Sequence, residues 1–86
     1  MKERKEEVED MAIDFTITKH LKEVCKMAQS WTLEINKVSF GEHPDKIDIR
    51  AWNPDKTKMG KGLRLNGMEE LFALGDAIEA IRKEYQ

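Results

Sequence analysis

One cysteine, two prolines, five glycines and an aromatic content of 7% leave this chain few built-in constraints. A lone Cys25 cannot form a disulfide framework, and a reducing, cytoplasmic setting is expected for it. No run of about 18 apolar residues occurs, so no membrane-spanning helix and no membrane partner are expected. Met1-Lys2-Glu3-Arg4-Lys5-Glu6-Glu7 contains no apolar segment, and no secretory signal is expected there. His20 and His43 lie far apart, Cys25 has no adjacent partner, and no spacing matches a zinc or calcium site. His43 with Glu42 and Asp45 reads as a solvated turn before it reads as a loose metal site. No metal or other cofactor is therefore expected.

Charge of one sign is also missing, since 15 Lys and Arg stand against 17 Asp and Glu for a net of −2. The distribution carries more information than the total. Residues 11–66 hold ten Lys or Arg and seven Asp or Glu, a surplus of +3, whereas both ends are acidic. Eighty-six residues allow one domain with a modest core, for which a partner is a common source of stability. Hydrophobic residues at 40% and charged residues at 37% fit a folded chain with a heavily solvated surface.

The basic middle contains the most telling stretch, Lys46 to Leu65. Ile47, Ile49 and Ala51 alternate with Lys46, Asp48, Arg50 and Trp52, the period of a strand with one buried face. The expected outward face thus carries two cations and a tryptophan, with Asp48 set to pair with Arg50 or a neighbouring cation. Asn53-Pro54-Asp55 ends the strand. A loop bearing Lys56, Lys58 and Lys61 beside Gly60 and Gly62 follows, then a second strand with Leu63 and Leu65 inward and Arg64 outward. Cations that follow phosphates beside a ring that stacks on bases suit single-stranded nucleic acid. Equally open on these residues is a Trp52 tucked under the loop as part of the core, with lysines that serve solubility.

Ile47-Asp48-Ile49-Arg50-Ala51-Trp52 followed by Lys58-Met59-Gly60-Lys61-Gly62-Leu63-Arg64-Leu65 resembles the positive-cofactor-four family of single-stranded-DNA-binding transcriptional coactivators, most closely its bacterial YdbC-like branch. Trp31 to Phe40 looks like that branch's preceding strand, and the resemblance runs from about Phe15 onward. It implies an α+β fold: a four-stranded curved antiparallel sheet followed by one C-terminal helix, dimerising through the helices. It also implies stacking by Trp52 and Phe40, with Lys37, Lys46, Arg50, Lys58 and Lys61 along the phosphates. Arg64 stands where the family more often has Ser or Thr and is added on its charge alone. Phe40 reads equally well as core, and Trp31 as edge core or a further platform.

In chain order, residues 1–12 read as a flexible charged tail and residues 13–86 as one domain, with the sheet over about 15–65 and the helix over about 67–85. Phe15-Thr16-Ile17-Thr18 favours a strand. Leu21, Val24 and Ala28 fall at helical spacing, but the resemblance makes 15–24 the first strand and 26–30 a turn. The apolar alternation of Trp31, Leu33 and Ile35 slips by one before Val38 and Phe40, which predicts a bulge near Asn36 and Lys37. Gly41 to Asp45 reads as a hairpin loop, more acidic than the resemblance would suggest. Asn66 with Glu69 predicts a capping box. Beyond it Leu71, Leu74, Ile78, Ile81 and Tyr85 form a narrow seam that suits a dimer contact, the alternative being that it covers its own sheet. Gly75 would allow close approach there.

No catalytic constellation emerges; Glu69 and Glu70, for example, suit a helix start. The expectation is a non-enzymatic homodimer that binds single-stranded DNA with little sequence preference, linked to transcription or DNA maintenance. Single-stranded RNA is a second candidate ligand. An acidic protein partner on the same basic face, such as part of the transcription machinery, is the rival of a different class.

Overall fold

The strands expected from alternation all form, and they pair in chain order. The computed structural model describes residues 14–86, so the expected tail over 1–12 lies outside the described residues. Strands β1 (Phe15–Lys26), β2 (Thr32–Phe40), β3 (Lys46–Trp52) and β4 (Met59–Leu65) make one antiparallel sheet in the order β1-β2-β3-β4, and helix α1 (Met68–Tyr85) follows. A short 3-10 turn, Ala28–Ser30, joins β1 to β2.

Residues 21–26 are strand despite their helical spacing, for a specific reason. The β1–β2 register shifts between Ile17 and Lys19, between His20 and Lys22, and between Glu23 and Cys25. The residues stepped over are Thr18, Leu21 and Val24, so bulges at every third position imitate helical periodicity. The bulge predicted in β2 near Asn36 is absent. Burial alternates without a break from Thr32 to Val38, and the pairing of β2 with β3 is continuous. The extra residues lie in β1, with one further irregularity opposite Arg50 and Trp52 where β3 meets β4.

Repeated bulges coil a sheet strongly, and here they close it over one face. Phe15, paired with Phe40 at one end of β2, meets Trp52, paired with Thr32 at the other, with ring centroids 5.3 Å apart. The covered, hollow face carries Thr32, Glu34, Asn36, Val38, Asp48, Arg50 and Trp52, all buried. This corrects the expectation that Asp48, Arg50 and Trp52 face outward. On the opposite face Ile47 is buried, but Leu33, Ile35, Ile49 and Ala51 are only half-buried.

The helix leaves that second face largely open. Its contacts with the sheet are few and centre on β4, and none of its residues is buried. Its N-cap is Gly67, without a side-chain cap. Glu70, not Glu69, reaches back, accepting from the Asn66 backbone N–H at 2.8 Å and from Asn66 Nδ2 at 3.3 Å. Asn66 therefore stands one residue before the cap.

Candidate nucleic-acid interface

Arg50 and Asp48 alternate along β3 onto the hollow face, where each satisfies the other. Arg50 Nε donates to Asp48 Oδ1 at 2.7 Å and Arg50 Nη2 to Asp48 Oδ2 at 2.7 Å, a bidentate pair with Asp48 fully buried. Arg50 Nη1 donates to the Gly60 carbonyl oxygen at 3.2 Å. The guanidinium lies across β4 at Gly62, where an added Cβ would come within 2.5 Å of Arg50 Nε. Gly62 thus serves this buried pair. Arg50 is 8% exposed and held by bonds within its own chain, which corrects its expected place along the phosphates.

Trp52 is corrected likewise. Its side chain is fully buried under Phe15, so it is core in this conformation rather than an open platform. Its indole Nε1–H finds no acceptor among the described residues, which costs about 1–3 kcal/mol. Trp31, half-buried, stands near Gly60.

A second buried charge pins the β3–β4 loop. Glu34, 2% exposed, accepts from Thr32 Oγ1 at 2.6 Å, Asn36 Nδ2 at 3.2 Å and Lys56 Nζ at 2.5 Å. Burial pushes its pKa up, but the hydrogen bonds from Lys56, Thr32 and Asn36 and the charge of Lys56 together bring it below the ordinary value. His20 joins the group from β1, with Nδ1 at 2.7 Å from Asn36 Oδ1. Lys56 holds a left-handed backbone, φ 63°, to make this reach. In the same loop Thr57 donates to Asp55 through Oγ1 at 2.6 Å and its backbone N–H at 3.2 Å, holding the carboxyl low.

The expected binding residues separate into groups. Phe40, Lys46 and Arg64 come together at one end of the hollow face, round a cavity of about 460 Å³ also lined by Val38, His43 and Pro44. The Arg64 guanidinium lies 3.9 Å from the Phe40 centroid, and that of Arg50 5.5 Å. Phe40 is half-exposed and Arg64 exposed, so the stack is open to solvent. Lys46 Nζ donates to Asn66 Oδ1 at 3.1 Å. Lys58 and Lys61 lie exposed toward the other end of β4, with no ion pair among the described residues. Lys37 pairs with Ile47 and so belongs to the opposite face, reaching only the rim beside Lys46 and Asn66.

The expected dimer seam is exposed. Leu71 and Leu74 are half-buried, whereas Ile78, Ile81 and Tyr85 are 49%, 55% and 81% exposed. A groove lined by Ile35, Leu71, Phe72, Leu74, Gly75, Asp76 and Ile78 separates helix from sheet. A Cβ at Gly75 would meet nothing within 4 Å.

The chain is 35% identical over 81 residues to an uncharacterized protein of Treponema pallidum (strain Nichols), a match that spans 94% of each chain. It belongs to the same family as that protein. A match of this length takes in most of both sheet and helix. No protein-family model matches the chain. Among the described residues no group of His, Cys, Asp and Glu is placed to hold a metal ion, and no helix is long and apolar enough to cross a membrane.

The sequence left three participants unassigned: Phe15, His43 and the Glu34–Lys56 pair. Phe15 and Glu34 sit in ordinary strand alternation; the coiling of the sheet brings Trp52 to Phe15, and the β3–β4 loop brings Lys56 to Glu34. His43-Pro44 gave a signal, but as a turn.

Proposed function

We propose that this protein binds single-stranded nucleic acid, DNA in the first place, as a homodimer without catalytic activity. The observation that carries the reading is the open Phe40–Arg64 stack beside Lys46, an aromatic face flanked by cations in a chain of net charge −2. A base stacks on such a ring whatever its identity once the Arg64 guanidinium, 3.9 Å over it, turns from the ring to a phosphate. Lys58, just before β4, adds an exposed cation at the far end of the sheet, while Lys61 alternates onto the opposite face with Leu63. The resemblance of 47–52 and 58–65 to the positive-cofactor-four family supports the same reading. Of the two expected stacking rings Phe40 is the one this reading keeps, because Trp52 is covered.

Dimerisation is the second half of the proposal. Ile35 of the open sheet face and Leu71, Phe72, Leu74 and Ile78 of α1 line one mostly apolar groove beside Asp76, and Ile81 and Tyr85 are exposed further along the helix. Burying them against a second copy gains roughly 25 cal/mol per Å² of apolar surface. A cytoplasmic role in transcription or DNA maintenance fits this reading and the free, exposed Cys25.

The test is a titration of labelled oligo-dT, the matching RNA, duplex DNA and polyglutamate. Oligo-dT is expected to bind more tightly than duplex. Tightest binding of polyglutamate would replace this reading with that of an acidic protein partner.

A further inference from the structure

The hairpin between β2 and β3 is built as a fixed wall of the cavity beside Phe40. Gly41 takes a left-handed backbone, φ 62°, and its N–H donates to the Asp14 carbonyl oxygen at 2.9 Å. The His43 N–H donates to the Phe40 carbonyl oxygen at 3.2 Å, and Ser39 Oγ donates to the His43 carbonyl oxygen at 2.7 Å. These bonds hold His43 and Pro44 against the cavity, opposite Lys46 and Arg64.

The chemistry of the lining is one-sided. Val38, Phe40 and Pro44 supply apolar and aromatic surface, while among the described residues every ionisable group in the lining is a base: His43, Lys46 and Arg64. The hairpin's acids do not enter it. Asp45 accepts from Thr18 Oγ1 at 2.7 Å and lines the separate cavity at Lys37 and Asn66, and Glu42 lines neither. A volume of about 460 Å³ lies in the range of small-ligand sites, about 300–1,000 Å³.

We propose that this cavity takes one unpaired nucleotide, base against Phe40 and Pro44 and phosphate toward Lys46 and Arg64, and that His43 contacts it and couples its binding to pH. This rests on the reading of the protein as a single-strand binder and adds a defined subsite and a reader residue to it. The groups that face His43 are Lys46 from β3 and Arg64 from β4, with Glu42 and Asp45 in its own hairpin and Arg50 near Phe40. A phosphate in the cavity favours the protonated imidazole, so binding takes up a proton and tightens as pH falls through the histidine range.

The test measures affinity for oligo-dT, which does not itself titrate near neutrality, at pH 8.0 and pH 6.0 for the wild type and His43→Gln. The wild type is expected to bind about three- to tenfold more tightly at the lower pH, within the limit set by one linked proton. His43→Gln is expected to lose that gain while remaining folded, since His43 is exposed. An oligomer with abasic positions is expected to bind more weakly and to lose the difference between the two proteins. If wild type and variant share one pH profile, the assignment of His43 is overturned while single-strand binding stands. If neither binds oligo-dT at either pH, the functional reading falls and the subsite with it.

Discussion

Phe15 and Trp52 meet ring against ring, centroids 5.3 Å apart and planes at 53°, although the register places them at opposite ends of β2. On a flat sheet eight residues of strand would separate them by about 26 Å. Their contact therefore measures the coiling that turns a basic strand face into a closed one. Trp52→Ala is expected to destabilise the fold by about 3–5 kcal/mol. A double-mutant cycle with Phe15→Ala should give a coupling of about 0.5–1.5 kcal/mol, read by urea denaturation followed by circular dichroism. Additive losses would mean that the two rings do not meet in solution.

The Asp48–Arg50 pair is the polar counterpart of that contact. Arg50→Met leaves Asp48 buried without its cation and should cost about 3–5 kcal/mol. Gly62→Ala should act on the same pair from the opposite strand, because its Cβ would displace the guanidinium. The two changes combined should cost clearly less than the sum of their separate losses. Simple addition would show that Gly62 is needed for some other reason.

Glu34 predicts the acid limb of stability. Its pKa in the folded chain lies below the ordinary 4.5, so the stability it contributes is fully present above about pH 4.5 and is lost as pH falls through the folded value. Glu34→Gln should lower stability at pH 7 by about 1–3 kcal/mol and make the loss between pH 5 and pH 3 shallower. An unchanged acid limb would remove Glu34 as its source.

Element positions were legible because alternation, turn residues and the apolar seam of α1 are local signals. Which face is buried was not. Leu33, Ile35 and Ile49 read as the inside, yet Glu34, Asn36, Asp48 and Arg50 are better covered. Some of their partners are second neighbours on the same strand, Arg50 for Asp48 and Thr32 and Asn36 for Glu34, but Lys56, His20 and the Gly60 carbonyl come from elsewhere in the chain, which spacing along one strand does not reveal. The helical spacing of Leu21 and Val24 runs counter to the strand expected from the resemblance and found, since bulges at every third residue and a helix leave similar periods. Of the candidate site, Phe40, Lys46 and Arg64 come together as a group. Arg50 and Trp52 do share their face, but its curvature decides depth, and it takes them out of reach.

The apolar groove between α1 and the sheet predicts self-association. Ile78→Asp places a charge in that groove and should give monomers or an unfolded chain in light scattering, as a buried unpaired charge is costly. A folded variant with the same mass as a dimeric wild type would exclude the groove as the contact.

Single-strand binding on the Phe40 face is tested most directly by titrating labelled oligo-dT against wild type and Phe40→Ala over a series of salt concentrations. With about three to five phosphates neutralised per protomer, the wild-type log–log slope should be roughly −2 to −3.5. Phe40→Ala should weaken binding by about 1–3 kcal/mol and leave that slope unchanged, because a stack is lost and no charge is. A wild-type slope near zero, or equal affinity for wild type and a folded Phe40→Ala, would contradict the account.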